Sequence, residues 1–299
     1  MSMRRLYDFQ KHGVRWLMAR TRASLADKPG LGKTVQAITA ATKLNLTNIW
    51  VVCPAIARDV WREHWPLWGN PRVRPHVVSY EWLAQHPAER WLLEGADLVI
   101  GDEWHYTKNI CAHRSLAACA VMNRARRVWL LSASPMPNNP SELYTTFRSI
   151  WPEILKNDLG VWKYEEYVQK FCIVEPVRYG GGRMGTRIVG VQNAPILRDA
   201  LSKVMLRRRL EDVDVQLPDL RWNTVRLDLT TPEWSDLASS LKNVATPEVV
   251  ERIRQRIARN QMPSDPNTSE MRRVMGVAKA VPSVRLIAEE MDDKKYDKL

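Results

Sequence analysis

The sequence has 299 residues, with 45 Lys plus Arg against 33 Asp plus Glu, a formal charge of +12 and an isoelectric point near 9.7. That length accommodates one large α/β domain with a small helical appendage, and the basic balance attracts polyanions without conferring sequence specificity. No apolar run reaches membrane-helix length, residues 1–9 lack a signal-peptide core, and Cys53, Cys111, Cys119 and Cys172 form no C-x-x-C pair, which argues against a membrane span, a zinc site and a disulfide framework.

In chain order, Ser24-Leu25-Ala26 reads as a short strand, followed by Asp27-Lys28-Pro29-Gly30-Leu31-Gly32-Lys33-Thr34 and a helix starting at Thr34. A Gly-rich turn between strand and helix sets unpaired N–H groups around phosphates at the positive end of the helix dipole. Gly30 and Gly32 would supply the turn, Lys33 would reach the β- and γ-phosphates of ATP, and the Thr34 hydroxyl would ligate Mg²⁺. Asp27 stands where the plain G-x-x-x-x-G-K-[ST] pattern has Gly, and the alternative is a Gly turn ahead of an amphipathic helix.

Residues 48–54 form a second apolar strand ending at Pro54, and residues 57–65 carry helical apolar spacing. Residues 96–101 form a third, with Asp102 and Glu103 at its carboxyl end, the edge where open parallel sheets bind ligands. Asp102 is the candidate Mg²⁺ carboxylate and Glu103 the group that orients and deprotonates water. The alternative is an acidic turn, which the spacing from Lys33 disfavours. Residues 127–132 make a further strand ending in Ser132-Ala133-Ser134-Pro135. Strands alternating with helices predict a doubly wound, mostly parallel central sheet with each motif on one rim.

Helices are expected from Glu142 and over 164–171. Tyr179 to Gly185 is a Gly-rich basic string that reads as a hairpin tip. Residues 196–201 lead into Arg207-Arg208-Arg209, residues 221–229 alternate as a strand, and polar helices are expected at 232–241, 247–260 and from Glu270. Of the thirteen tryptophans, Trp16, Trp61 and Trp65 fall at helical apolar positions and Trp50 and Trp129 in strands, so core packing is their default. Trp68 or Trp82 could stack on a base.

Taken together, the chain resembles the first ATPase lobe of superfamily-two helicases, and most closely the Swi/Snf-type remodellers and annealing translocases. The resemblance is carried by Leu6-Tyr7-Asp8-Phe9-Gln10, Gly13-Val14-Arg15-Trp16-Leu17, residues 25–36, Val51-Val52-Cys53-Pro54 and Val78-Ser79-Tyr80-Glu81. It continues through Asp102-Glu103-Trp104-His105, Lys108-Asn109, Leu131-Ser132-Ala133-Ser134-Pro135, Asn138 and Val204-Met205-Leu206-Arg207-Arg208. Trp104 departs from the small residue that the family usually has there.

The resemblance implies a P-loop NTPase RecA-like lobe over 1–229, with a helical insertion at about 150–205 and a C-terminal helical extension over 230–299. It implies that Gln10 recognises adenine, that His105 links the acidic pair to Ser132 and Ser134, and that these serines couple nucleotide state to strand movement. Asp27, Gly30, Gly32, Lys33, Thr34 and His105 join Gln10 in the nucleotide set. Pro54, Arg58, Ser79 and Tyr80 are expected along a DNA backbone, with Arg62, Arg72 and Arg74 on the same rim. The segment ending at Arg208 would brace the lobe. A second RecA-like lobe would supply arginine fingers and the other half of the DNA track, so weak hydrolysis is expected from this sequence alone, in a cytoplasmic or nuclear setting with access to DNA. The alternative is a non-catalytic ATP- and DNA-binding module serving a partner chain, distinguished by turnover that depends on Lys33 and Glu103. A P-loop kinase is disfavoured by the order of the motifs.

Overall fold

A computed structural model of the chain describes residues 5–87, 95–178 and 184–213. Beyond these it describes residues 251, 255, 276, 279, 280 and 282–285, all helical. The chain divides into two compact units, Met1–Gln216 and Leu217–Leu299, so the division falls ahead of the boundary expected at 229. The strand expected at 221–229 and the helices at 232–241 and 247–260 lie almost wholly outside the described residues, as does most of the Gly-rich string at 179–185.

The first unit alternates helix and strand: α1 (Asp8–Met18), β1 (Arg22–Leu25), α2 (Lys33–Lys43), β2 (Ile49–Cys53), α3 (Arg58–Trp68), β3 (His76–Ser79), α4 (Tyr80–Gln85) and β4 (Leu98–Asp102). There follow α5 (His113–Arg124), β5 (Val128–Leu131), α6 (Glu142–Ile150), α7 (Tyr164–Phe171), β6 (Cys172–Arg178), β7 (Met184–Val191), α8 (Ala194–Val204) and β8 (Met205–Leu206). Six strands form one sheet in the order β3-β2-β4-β5-β1-β8, and every pair in it is parallel.

Parallel strands need crossover connections, and the helices that supply them cover both faces. Alternate residues therefore feed two cores. Leu25, Ile49, Val51, Ile100 and Leu131 pack with Val14, Leu17, Ile38 and Trp61 from α1, α2 and α3. Trp50, Val52, Val99, Val128 and Leu130 pack with Leu83, Val121, Phe147, Phe171 and Leu197 from the later helices.

The strand order sets the site. β4, β5 and β1 are neighbours, and Asp102, Leu131 and Leu25 lie on one rung. The next residues out, Glu103, Ser132 and Ala26, therefore leave the sheet side by side, within ~10 Å at two strand spacings.

The insertion is only partly helical. Between α7 and α8 the chain forms an antiparallel β6–β7 hairpin. Ile173, Val174 and Val177 favour an extended chain, so the helical insertion expected at about 150–205 also carries two strands, which flank the string read as a hairpin tip.

Candidate active site

β1 delivers the chain to a loop in which Gly30 and Gly32 have φ of +85° and +71°. Only glycine takes these angles at no steric cost, and a Cβ on Gly32 would stand 2.6 Å from Gln10 Nε2. Gly32 then caps α2 with no side-chain bond, and the first helical bond runs from the Gln36 amide to the Gly32 carbonyl, 3.0 Å. The amides at the start of α2 thus have no partner within the helix and face outward as an anion cradle. Lys33 Nζ donates to the Asp27 carbonyl at 2.9 Å. Burial lowers the Lys33 pKa, opposed by the nearby Glu103, Asp102 and Asp27.

The side chains of Asp27 and Gln10, both expected among the nucleotide contacts, are engaged within the protein. The Asp27 side chain is fully buried and turned to Arg208, whose Nε and Nη2 donate at 3.0 and 2.5 Å. Only its main-chain carbonyl faces Lys33. Both halves of the Gln10 amide are also engaged, with Oε1 accepting from the Tyr7 amide at 3.0 Å and Nε2 donating to the Leu31 carbonyl at 3.3 Å.

At the carboxyl end of β4, Asp102 Oδ1 accepts from the Glu103 amide at 3.1 Å and Oδ2 from Trp61 Nε1 at 2.7 Å. Burial raises the Asp102 pKa, and the Trp61 hydrogen bond works against it. A carboxylate whose charge is costly to bury is suited to a cation. Asp102 with Thr34 at the start of α2 would hold Mg²⁺, and the oxygen donors and phosphate cradle fit that ion.

Glu103 takes the left-handed conformation, φ 47° and ψ 47°, unusual for a residue with a Cβ. The turn it makes carries its carboxylate to β5. Glu103 Oε2 accepts from Ser132 Oγ at 3.0 Å and lies 3.2 Å from His105 Nδ1. His105 Nδ1 is 2.9 Å from Ser132 Oγ, which also accepts from the Ser134 amide at 3.1 Å. The His105 bond is the main influence lowering the Glu103 pKa, and the Ser132 bond adds to it against burial. The structure thus brings Glu103, His105, Ser132 and Ser134 into one network beside Asp102 and Lys33.

Sequence reasoning missed Trp61, Gln36 and the side-chain role of Arg208. Trp61 reads as an apolar helix position, yet a buried indole N–H needs an acceptor, and α3 follows the strand next to β4. Trp104 is buried in the core, and its Nε1 has no partner among the described residues.

The expected nucleic-acid set is largely dispersed. Tyr80 is 0% exposed, and its hydroxyl donates to the Asp102 carbonyl at 2.9 Å, so it braces β4 and cannot touch a strand. Ser79 is buried, and its Oγ caps α4 by accepting from the Trp82 amide at 3.0 Å. Pro54 is buried at the end of β2 and caps the turn Ala55–Ala57, while Arg58 is half-buried with Nε on the Ala55 carbonyl at 3.2 Å. Arg72 and Arg74 precede β3, and β2 and β3 are parallel. They therefore stand at the opposite rim from Pro54. Arg62 and Arg74 line a cavity of about 380 Å³ with Trp65, Pro66 and Pro71. The four arginines do not share one rim. Trp82 stacks on His86 rather than standing free for a base, with centroids 4.6 Å apart.

A parallel sheet with a Gly-rich phosphate cradle, a Lys-Thr pair and an acidic pair on neighbouring strand ends defines a RecA-like P-loop NTPase lobe. The family model of the SNF2-related domain matches residues 76–272, and the chain belongs to that family. It is 28% identical over 320 residues to the DNA annealing helicase and endonuclease ZRANB3 of Mus musculus, covering 99% of this chain and 28% of that protein. It is 32% identical over 238 residues to the SWI/SNF-related matrix-associated actin-dependent regulator of chromatin subfamily A-like protein 1 of Bos taurus, covering 73% of this chain and 24% of that one. The chain thus spans about a quarter of the length of these relatives. The fold is similar to that of the Sulfolobus solfataricus SWI2/SNF2 ATPase core solved in complex with dsDNA, with a TM-score of 0.56 at 18% identity over 97% of this chain and 65% of that chain. Among the described residues no helix is long and apolar enough to cross a membrane.

Proposed function

We propose that this chain is the nucleotide-binding lobe of a DNA-dependent ATPase that couples ATP hydrolysis to movement along DNA. The observation that carries this is the convergence of Lys33, Asp102, Glu103 and Ser132 at the carboxyl ends of β1, β4 and β5. The α2 amides and Lys33 bind the phosphates, and Gln10 exchanges its internal bonds for the adenine edge. Thr34 and Asp102 would hold Mg²⁺, which would neutralise charge on the phosphate oxygens. Glu103, kept ionised by His105 and Ser132, orients water and takes its proton. A change at Glu103 passes to Ser132 and Ser134 through the same hydrogen bonds. Of the expected DNA contacts, the loop from Pro54 to Arg58 is the one that remains exposed in part, and its backbone and Arg58 would meet phosphates. A second RecA-like lobe supplies the missing cations.

ATP turnover by this chain, with and without duplex and forked DNA, tests the reading alongside Lys33→Ala and Glu103→Gln. DNA-stimulated turnover lost in both variants is expected once a second lobe is supplied, with Glu103→Gln falling by about 10² to 10⁴. Wild-type turnover retained in Glu103→Gln would refute the assignment of the water-activating group. Nucleotide binding that never leads to turnover favours a regulatory module.

A further inference from the structure

We propose that Arg208 is a positioning residue for nucleotide binding, setting the phosphate loop through Asp27 and thereby where Lys33 rests. This rests on the ATP reading above and extends it to a residue 181 positions from the loop it controls. The Asp27 carboxylate accepts from Arg208 Nε at 3.0 Å, Arg208 Nη2 at 2.5 Å, the Arg208 amide at 3.1 Å and Gln36 Nε2 at 3.2 Å. Arg208 also donates to Gln36 Oε1 at 2.9 Å and, through Nη1, to the Phe9 carbonyl on α1. Gln36 Nε2 and Gln10 Nε2 both donate to the Leu31 carbonyl in the middle of the loop. Main-chain bonds from Ala26 to Leu206 and from Lys28 to Arg208 pin the loop entry at 2.7 and 3.0 Å. One guanidinium therefore ties α1, α2 and the loop entry together, and Gln36 carries the tie on to Leu31 near the loop exit. Gly13 makes the room, since a Cβ there would stand 1.8 Å from Gln36 Oε1 and 2.8 Å from Arg208 Nη2.

A brace for β8 alone has no need of a buried ion pair, because apolar residues of like volume hold such positions equally well. What the pair adds is direction. With its carboxylate held by the Arg fork, Asp27 turns its carbonyl to Lys33 Nζ, 2.9 Å away. Lys33 waits there and leaves for the phosphate oxygens when nucleotide arrives. A lysine at 208 keeps the charge but not the two-pronged geometry or the reach to Phe9 and Gln36.

The test is binding of a fluorescent ATP analogue to the wild-type chain and to Arg208→Lys, Lys33→Ala and the double variant, below their melting temperatures and with circular dichroism to confirm folding. Arg208→Lys is expected to weaken binding tenfold or more, and to add little once Lys33 is Ala, because it acts through that side chain. Lys203→Gln, which loses an exposed pair with Asp158 just before β8, should bind as wild type. Folded Arg208→Lys with wild-type affinity, or effects that simply add, would overturn the inference alone. A wild-type chain that binds no nucleotide would overturn the ATP reading and this inference with it. Should Arg208→Lys not fold, the Arg208 Nε–H resonance of the wild type decides. It should move on saturation with the analogue as Lys33 leaves Asp27, and an unmoved signal overturns the proposal.

Discussion

Single residues show how tightly the acidic end of β4 is held. Asp102 is fixed from α3 by the Trp61 indole and from α4 by the Tyr80 hydroxyl on its carbonyl. Trp61→Phe keeps most of the apolar volume and deletes the bond to Oδ2. Groups that orient a metal-binding carboxylate typically matter 10- to 100-fold in affinity, so half-maximal turnover should need roughly that much more Mg²⁺. A magnesium titration unchanged in the variant would show the indole to be filling space only. That Lys33, Asp102 and Glu103 would meet on one rim was legible because a parallel sheet brings the loops after its strands to one edge. Tyr80 and Ser79 were not, because a motif string does not say which side of the chain faces solvent.

At the scale of elements, β1, β2, β4 and β5 were readable as apolar runs, since strands buried on both faces need no alternation, whereas the edge strands β3 and β8 were not read. For the hairpin β6–β7 only the tip was read, from the Gly-rich string, because Ile173 to Arg178 does not alternate in a way that marks a strand. The entry to β4 illustrates a local lock. Asp97 accepts from the Asn48 and Thr47 amides at 3.0 and 3.2 Å and pairs with Arg126, tying the start of β2 to that of β4. The Asn48 backbone bond is the foremost cause holding the Asp97 pKa below its usual value. A lowered carboxylate stabilises the fold above the unfolded pKa of about 3.9 and loses that contribution as pH falls through the folded value. Asp97→Asn should therefore cost about 1 kcal/mol at neutral pH and progressively less as the pH falls through the lowered folded value. Denaturant midpoints at neutral and at acid pH check it, and an equal loss at both would exclude the titration argument.

For the molecule as a whole, charge predicts affinity better than it predicts the contact surface. The formal +12 favours polyanions, but Arg58 beside Pro54 and the arginines ahead of β3 stand at opposite rims of the sheet. Linear proximity concealed this, because α3 spans the sheet between them. If the Pro54 rim carries the DNA, Arg58→Ala should reduce the slope of log affinity against log salt by about 1, whereas Arg74→Ala should leave it unchanged. Binding titrations at several salt concentrations measure both, and the reverse pattern would move the track to the other rim.

The sheet order also carries a message about biosynthesis. β1 precedes β5 and β8 in the chain, yet it lies between them in the sheet, and its loop is bonded to Arg208, 181 residues later. At ~5 to 20 residues per second, a nascent chain spends on the order of 10 to 40 s with its phosphate loop drawn out but not locked. Through that interval the exposed apolar edges of β1 belong to the ribosome's surroundings and to chaperones. On the ATP reading, the capacity to hold nucleotide would arrive only when β8 docks beside β1, and nucleotide capture would mark that moment.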